Sequence, residues 1–520
     1  MGTRLVSLFK SASIFFGVFL TTISAAIAQG QIVGALDGFA TDNNGTPVQI
    51  GIASAIQRIC PGLVGGVFGG LQNVLDAPDS PDKDLTLRCN ELVLTAVDFN
   101  DPNASPSRSL GYTDPNDLLA ALQQVTGEEI AAQNTMTVRA SNSQFSNIAA
   151  RLGALRLAAA GAGTTGPATA VNFDFDGINI NADAVGGPGA YLGGGAAAGE
   201  SGSLKRAGFF INGSYNTGER DASALENGFD FDMFGVTAGF DYRFDSGVLG
   251  VSVGYDDFSS EFSPSSVVSG GDIEASGFSG SLFGLLDLGN FFIDGIATFG
   301  ALDYDIDRIL EYSSANNDPN CQCPDQNRTI VSASDGDHTS ISVNAGWQWY
   351  ANEWLIQPTI GLSVRNYKID GYTEEDSLPT GGMTLRYGDQ DIDSMQSVVG
   401  IQISKAINRD FGVLRPWFGV EWYHEFEDDQ STLDAKYAQE DVLAATANPA
   451  LGFSSELGVG NCLSCFSLAS EAPDTDFGVI GAGLSFVFPN FVQLLFYYEG
   501  LVGYEDLTSN AFTVNFRSQF

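Results

Sequence analysis

The stretch Phe512-Thr-Val-Asn-Phe-Arg-Ser-Gln-Phe520 constrains what this chain can fold into more than any other. Side chains alternate sides along a strand, so Phe512, Val514, Phe516 and Phe520 share one face, while Thr513, Asn515, Arg517 and Gln519 share the other. The same pattern recurs upstream. Leu249, Val251, Val253 and Tyr255 alternate with Gly250, Ser252, Gly254 and Asp256. Phe234, Val236, Ala238, Phe240 and Tyr242 alternate with Met233, Gly235, Thr237, Gly239 and Asp241. Ile356, Pro358, Ile360, Leu362 and Val364 alternate with Gln357, Thr359, Gly361, Ser363 and Arg365. In a soluble sandwich each apolar face would need a second sheet; here lipid on one side and water on the other would satisfy both faces.

No window of about 18 uninterrupted apolar residues follows the amino-terminal segment, so a helical membrane protein is excluded. The remaining way to span lipid is a closed barrel, because closure satisfies every strand's backbone groups. Residues 1–28 read as a secretory signal peptide. Arg4 and Lys10 precede a short apolar run, and Ala26-Ile27-Ala28 offers a small-residue cleavage site. Removing its two basic residues from 23 leaves 21 against 63 acids, a net charge of −42. Nucleic-acid binding is excluded on that balance, since phosphate contacts need a basic face.

Short and long connections alternate along residues 205–520. Tight turns fall at Asp245–Gly247, Leu288–Asn290, Ala351–Glu353, Asn408–Asp410 and Pro489–Asn490, with longer acidic stretches between them. The count predicts about 12 antiparallel strands, closing a transmembrane β-barrel between Ala207 and Phe520. Trp347, Trp349, Trp354, Trp417, Trp422 and Tyr423 are expected to form interfacial aromatic girdles.

Residues 29–125 read as a small helical module. Its helices start at Thr46-Pro47, Ser80-Pro81 and Asp114-Pro115, each a capping residue followed by proline at the first helical position. Six cysteines in an exported chain are expected to be oxidised. Cys60 and Cys89 most simply pair with each other. Cys321 with Cys323, and Cys462 with Cys465, form two tight clusters with three possible connectivities, an internal Cys-x-Cys bridge being geometrically cramped. A zinc site built from both clusters is the alternative.

Residues 126–204 form a linker. Thr126 and Glu129 make a capping box, and Val138, Phe145, Ile148, Leu152 and Leu155 recur at helical spacing. From Ile130 to Val171 there is no acidic residue, yet Arg139, Arg151 and Arg156 are present. One reading is an ordinary amphipathic helix; the other is a helix threading an acidic barrel lumen. Asn172–Gly177 offers Asp174, Asp176 and, further on, Asp183. It reads as a strand and tight turn, with a calcium loop as the alternative.

Enzyme chemistry is not expected, and neither is a cofactor. There is no Gly-x-Ser-x-Gly elbow; Gly277-Phe-Ser-Gly280 lacks the spacing. The two histidines are His338, beside Asp335 and Asp337, and His424, and both read as structural.

Lys205–Phe520 resembles the translocator barrel of autotransporters, the type V secretion proteins. The resemblance rests on Gly208-Phe-Phe-Ile-Asn-Gly213, on Phe229–Arg243 and on Gly371-Tyr-Thr-Glu374. It is carried above all by Leu414-Arg-Pro-Trp-Phe-Gly-Val-Glu-Trp-Tyr-His-Glu-Phe426 and the terminal Phe520. It implies a Gram-negative outer-membrane barrel with a helix inside the pore, linking an upstream passenger to the first strand. Glu421 and Glu425 share the lumen parity of their strand and are the expected partners of Arg151 and Arg156. Phe516 and Phe520 are expected to carry the barrel-assembly signal read by the assembly machinery. The partners expected are outer-membrane lipid and that machinery, and the chain is expected to be a monomer. The upstream segment is short for such a passenger and shows no repeat. Two function classes follow: an autotransporter-like barrel that anchors or exports the helical module, and a helix-gated, porin-like channel.

Overall fold

A computed structural model describes residues 35–63, 71–101, 106–127, 130, 132–160, 172–175, 178–181, 206–223, 225–264, 270–317, 321, 323–440, 462–488 and 492–520. The signal peptide, Glu129, Asp176, Asp183 and the side chain of Arg139 lie outside the described residues. Asn172–Phe175 and Ile178–Asn181 pair as a small hairpin.

Twelve strands close into one antiparallel barrel: β1 (Ala207–Arg220), β2 (Phe229–Arg243), β3 (Gly247–Phe262), β4 (Gly271–Asp287), β5 (Phe291–Tyr312), β6 (Gln326–Trp347), β7 (Trp354–Ile369), β8 (Gln390–Lys405), β9 (Gly412–Glu425), β10 (Asp476–Val487), β11 (Val492–Val502) and β12 (Leu507–Gln519). Each pairs with its sequence neighbour, and β12 pairs with β1 from Leu507↔Arg220 to Gln519↔Gly208. That last ladder abolishes the free edges of the sheet. Four of the predicted tight turns, at Asp245–Gly247, Leu288–Asn290, Ala351–Glu353 and Asn408–Asp410, lie at one end, together with the start of β1 and the end of β12; the longer loops lie at the other. The fifth, Pro489–Asn490, lies outside the described residues. Gly289, at φ +89°, turns the chain between β4 and β5.

The outward face is apolar where lipid would lie: Phe240, Val251, Val253, Phe278, Phe299, Ile360 and Phe512 are all exposed. Trp347, Trp349 and Trp354 face outward beside the β6–β7 turn, and Trp422 faces outward nearer the loop end. Two of the expected girdle residues do not. Trp417 and Tyr423 share the inward parity of β9 with Glu421; Trp417 lies tilted against Tyr497 (5.9 Å between ring centres) and Tyr423 donates to Glu421. An aromatic's place in sequence indicates depth, whereas its side of the wall follows parity.

Toward the loop end the two faces exchange character. On β2 the outward residues change from Phe240, Ala238, Val236 and Phe234 to Asp232 and Asp230, while the inward ones change from Asp241, Gly239, Thr237 and Gly235 to Met233, Phe231 and Phe229. On β5, Asp303 and Asp305 face outward as Leu302, Tyr304 and Ile306 turn buried side chains inward. The wall has therefore left the lipid, and its inner surface is an apolar vestibule. The alternation Phe229-Asp-Phe-Asp was the sequence signal for it.

The helical module fills that vestibule. Its helices are α1 (Ala35–Asp42), α2 (Pro47–Gly62), α3 (Leu71–Asp76), α4 (Pro81–Asn100) and α5 (Pro115–Gln124). Thr46, Ser80 and Asp114 are the N-caps; Thr46 and Gln49 form a reciprocal capping box. Leu36, Ile52, Leu85, Leu92 and Leu122 belong to one continuous core with Phe231, Phe258, Ile273, Tyr304 and Leu310 of the wall. Each such side chain, fully buried, contributes roughly 1.5–3 kcal/mol, so cap and wall share their stability. The long helix α6 (Ala132–Ala160) runs from this cap down the lumen.

Candidate functional site

The lumen is where the sequence places its anomaly, and α6 is seated there by both packing and polar contacts. Ile148, Leu152 and Leu155 form a buried stripe against Phe210, Val248, Phe283, Leu285, Phe292 and Ile296 of β1, β3, β4 and β5. Along the same wall Gln144 donates to the carbonyls of Val236 and Tyr255 (both 3.2 Å) and accepts from Thr237 Oγ1 at 2.5 Å. Asn147 donates to Ser214 Oγ and Thr237 Oγ1 and accepts from Asn212 through its carbonyl. Glycine makes the approach close enough: a Cβ on Gly254 would lie 1.8 Å from Gln144 Oε1.

Near the short-turn end, Arg151 Nη2 lies 2.6 Å from Asp241 Oδ2, with both side chains wholly buried. Arg517 of β12 reaches the other oxygen of the same carboxylate at 2.9 Å. Arg156 pairs with Asp294 at 3.3 Å and lies over the Phe292 ring. The expectation that Glu421 and Glu425 receive these arginines is therefore corrected to Asp241 and Asp294. Strand parity admits any inward carboxylate; the apolar stripe of α6 decides which wall the arginines meet.

Glu421 and Glu425 face inward on the opposite wall. Glu421 accepts from Tyr423 at 2.6 Å; Glu425 accepts from Ser394 Oγ and from the Met395 amide, both at 2.8 Å, and from Gln396 at 3.0 Å. With Glu499, Trp417 and Arg365 they line a cavity of about 360 Å³ beside the helix. Phe516 lies half-buried on β12 and Phe520 points outward, just past its end.

At the mouth the cap is tied to loops and rim through polar groups. Arg308 of β5 makes a two-pronged bond to Glu374 (2.6 and 2.8 Å) and donates to the Gln124 carbonyl of α5. Asp84 of α4 accepts from Arg328 and from the Gly382 amide. All three cysteine pairs are disulfides: Cys60–Cys89 joins α2 to α4, while Cys321–Cys323 and Cys462–Cys465 close within their own clusters. The cramped internal bridge is thus the one adopted, with Cα atoms 5.1 Å apart, and no cysteine among the described residues is left for zinc.

Inside the cap, Glu91 is wholly buried between Arg88 and Arg108. Burial pushes its carboxyl up to about 7 from 4.5, against the lowering pull of the two arginines. A folded value above the unfolded one means that its stabilisation is full below pH 4.5 and is lost as pH rises through about 7. The helical circular-dichroism signal of the cap is expected to melt at lower temperature above that window than below it. Glu91→Gln should flatten this slope, and an unchanged slope in the variant would assign the effect to another group.

His338 is buried on β6 under Gly300 and beside Tyr367, and neither ring nitrogen has a hydrogen-bond partner among the described residues. His424 lies 2.9 Å from Asp476 Oδ1. Neither meets a serine or cysteine nucleophile among the described contacts.

A closed antiparallel barrel of twelve strands, threaded by a helix and joined to an upstream module, is the architecture of a transmembrane translocator. Residues 209–465 match the autotransporter β-domain family, a match that spans just under half of the chain. The protein is an outer-membrane protein of a Gram-negative bacterium, and its barrel family is not an enzyme family. A 79-residue stretch is 27% identical to serotype-specific antigen 1 of Mannheimia haemolytica; it covers 15% of this chain and 8% of that relative's length. Among solved structures, the translocator domain of the autotransporter NalP from Neisseria meningitidis is similar at 12% identity, over 62% of this chain and 90% of that one, with a TM-score of 0.43. The β domain of the Bordetella autotransporter BrkA shows 13% identity, 61% and 100% coverage and a TM-score of 0.38. The transport unit of AIDA-I from Escherichia coli shows 13%, 62% and 92%, with a TM-score of 0.35.

Proposed function

We propose that this barrel carries its own helical module to the cell surface and keeps it there as a cap. The single observation behind this reading is the course of α6. It begins among the loops, where Gln133 meets Tyr372 and Gln390, and ends near the short turns, where Arg156 meets Asp294. The first strand then starts from the short-turn end. A chain whose module sits at the loop end and whose return helix fills the lumen has the connectivity of a completed export event, because short turns face the periplasm in outer-membrane barrels. In this reading residues 29–125 are a retained passenger, residues 126–204 the pore linker, and Arg151 and Arg156 the groups that hold the linker against the wall. The barrel is a monomer, inserted by the assembly machinery through the strand bearing Phe516 and Phe520, and it performs no catalysis.

On intact cells, added protease is expected to reach the module, and an epitope placed next to Asp42 to bind antibody. Complete protection in intact cells, with cleavage only after the outer membrane is opened, would place the module in the periplasm and end this proposal.

The cavity beside α6 supports a second reading, a narrow conducting path past the helix. Steady ion current through the wild-type barrel in planar bilayers, abolished by Gly400→Trp on the cavity-side wall, would favour it; a closed wild-type barrel would not.

A further inference from the structure

Two of the three disulfides serve no obvious purpose in holding the barrel. Cys321–Cys323 and Cys462–Cys465 span sequence separations of two and three, so neither ties distant parts of the fold together. What they share is their neighbour. Arg108, between α4 and α5, donates through Nη1 to the Cys321 carbonyl at 2.6 Å, and the two sulfurs of that bridge lie 3.8 Å from the Ser109 and Arg108 carbonyl oxygens. Arg58, on α2, donates through Nε to the Leu463 carbonyl and through Nη2 to the Cys465 carbonyl, both at 2.8 Å. The second ring is further held by Glu440, buried, whose carboxylate accepts from the Leu463 and Ser464 amides and from Ser464 Oγ. Each bridge thus closes a tight loop that presents main-chain carbonyls to one arginine of the cap.

A carbonyl receives a guanidinium well only when it is already aimed, and a short cystine ring restricts how the carbonyl can turn. The three bridges also differ in access. Cys60 and Cys89 are buried within the cap, whereas Cys323, Cys462 and Cys465 are partly exposed at the mouth. Thiolate attack follows access, so a small dithiol reaches the mouth bridges first.

We infer that the two loop disulfides are redox-cleavable latches for the cap: oxidised, they hold Arg58 and Arg108 and keep the module seated; reduced, they release it. Each opening is a two-electron step. A thiolate of a dithiol reductant attacks one sulfur and expels the other as a protein thiolate. The reductant's second thiolate then attacks the mixed disulfide and expels the remaining protein thiolate, so two protein thiols form after protonation and the reductant leaves as its cyclic disulfide. This inference goes beyond the export reading and needs only that the cap sits in the mouth, whichever compartment the mouth faces.

The test uses the purified full-length protein in detergent, treated with graded dithiothreitol and alkylated so that mass spectrometry shows which bridges are open. With the two loop bridges open and Cys60–Cys89 intact, protease cleavage within residues 35–124 is expected to speed up at least about tenfold, a factor that corresponds to about 1.4 kcal/mol of lost docking. The variant with Cys321, Cys323, Cys462 and Cys465 all changed to serine should cleave at the faster rate without reductant and not respond to it. Arg58→Ala with Arg108→Ala, which keeps every bridge, should also cleave faster and lose most of the response. Retained heat-dependent gel mobility certifies that each barrel is folded. Unchanged protection of the cap once both loop bridges are open, or wild-type protection in the arginine variant, would overturn the latch. Either result would leave the export reading standing, since that depends on the intact-cell topology.

Discussion

Asp241→Asn should loosen both the helix in the pore and the closure of the barrel, with the largest loss of any single change in the lumen. Asp241 is the shared acceptor of Arg151 from α6 and Arg517 from β12, all three side chains being buried. Removing one partner of a buried ion pair typically costs about 3–5 kcal/mol, because an uncompensated charge is left behind. Here two guanidiniums lose their charge partner at once. The variant is expected to lose its heat-dependent gel mobility shift at a lower temperature and to pass more current in planar bilayers. Arg151→Met with Arg517→Met in the same background should recover much of the thermal loss, since apolar groups of similar volume need no counter-charge. A variant with wild-type melting and conductance would show that the carboxylate is not what holds the helix.

Glu374→Ala should be almost as damaging, but at the mouth. Arg308 and Glu374 are each about 1% exposed, and the carboxylate also accepts from the Leu385 amide and the Tyr387 hydroxyl. Arg308 in turn reaches the Gln124 and Met383 carbonyls, so one ion pair joins the barrel wall, a loop and the cap. Losing the carboxylate is expected to cost about 3–5 kcal/mol. The cost should appear as faster hydrogen exchange in α4 and α5, with the barrel's gel mobility shift preserved. The double change Arg308→Met and Glu374→Leu should sit closer to wild type than Glu374→Ala alone. Equal exchange in Glu374→Ala and wild type would mean the cap is held by its apolar core without this bridge.

Charge and hydrophobic patterns carry different amounts of information in this chain. The acid-free run from Ile130 to Val171 pointed to a lumen helix, because a basic segment in a chain this acidic needs a partner surface. Proline after Thr46, Ser80 and Asp114 marked three helix starts that the structure places at those residues. By contrast, Glu421 and Glu425 were chosen as helix partners on parity and charge, and both are satisfied equally by Asp241 and Asp294. Trp417 was placed in a girdle by residue type, where its odd number beside Glu421 already put it inside. The vestibule was visible in Phe229-Asp-Phe-Asp and in Leu302-Asp-Tyr-Asp-Ile, but reading it required allowing one strand to exchange its wet and dry faces partway along.

Properties with a local cause were therefore settled before any folding in three dimensions. Alternation with period two makes strands, the spacing of tight turns counts them, and capping residues start helices, each within a few residues of chain. Which carboxylate meets Arg151 and where the cap comes to rest depend on surfaces brought together across long stretches of chain. Arg58 lies more than 400 positions from the Leu463 and Cys465 carbonyls it binds. Only the closed cylinder and the rotation of α6 within it decide such contacts, because a long-range pairing is chosen by geometry among many chemically equal candidates.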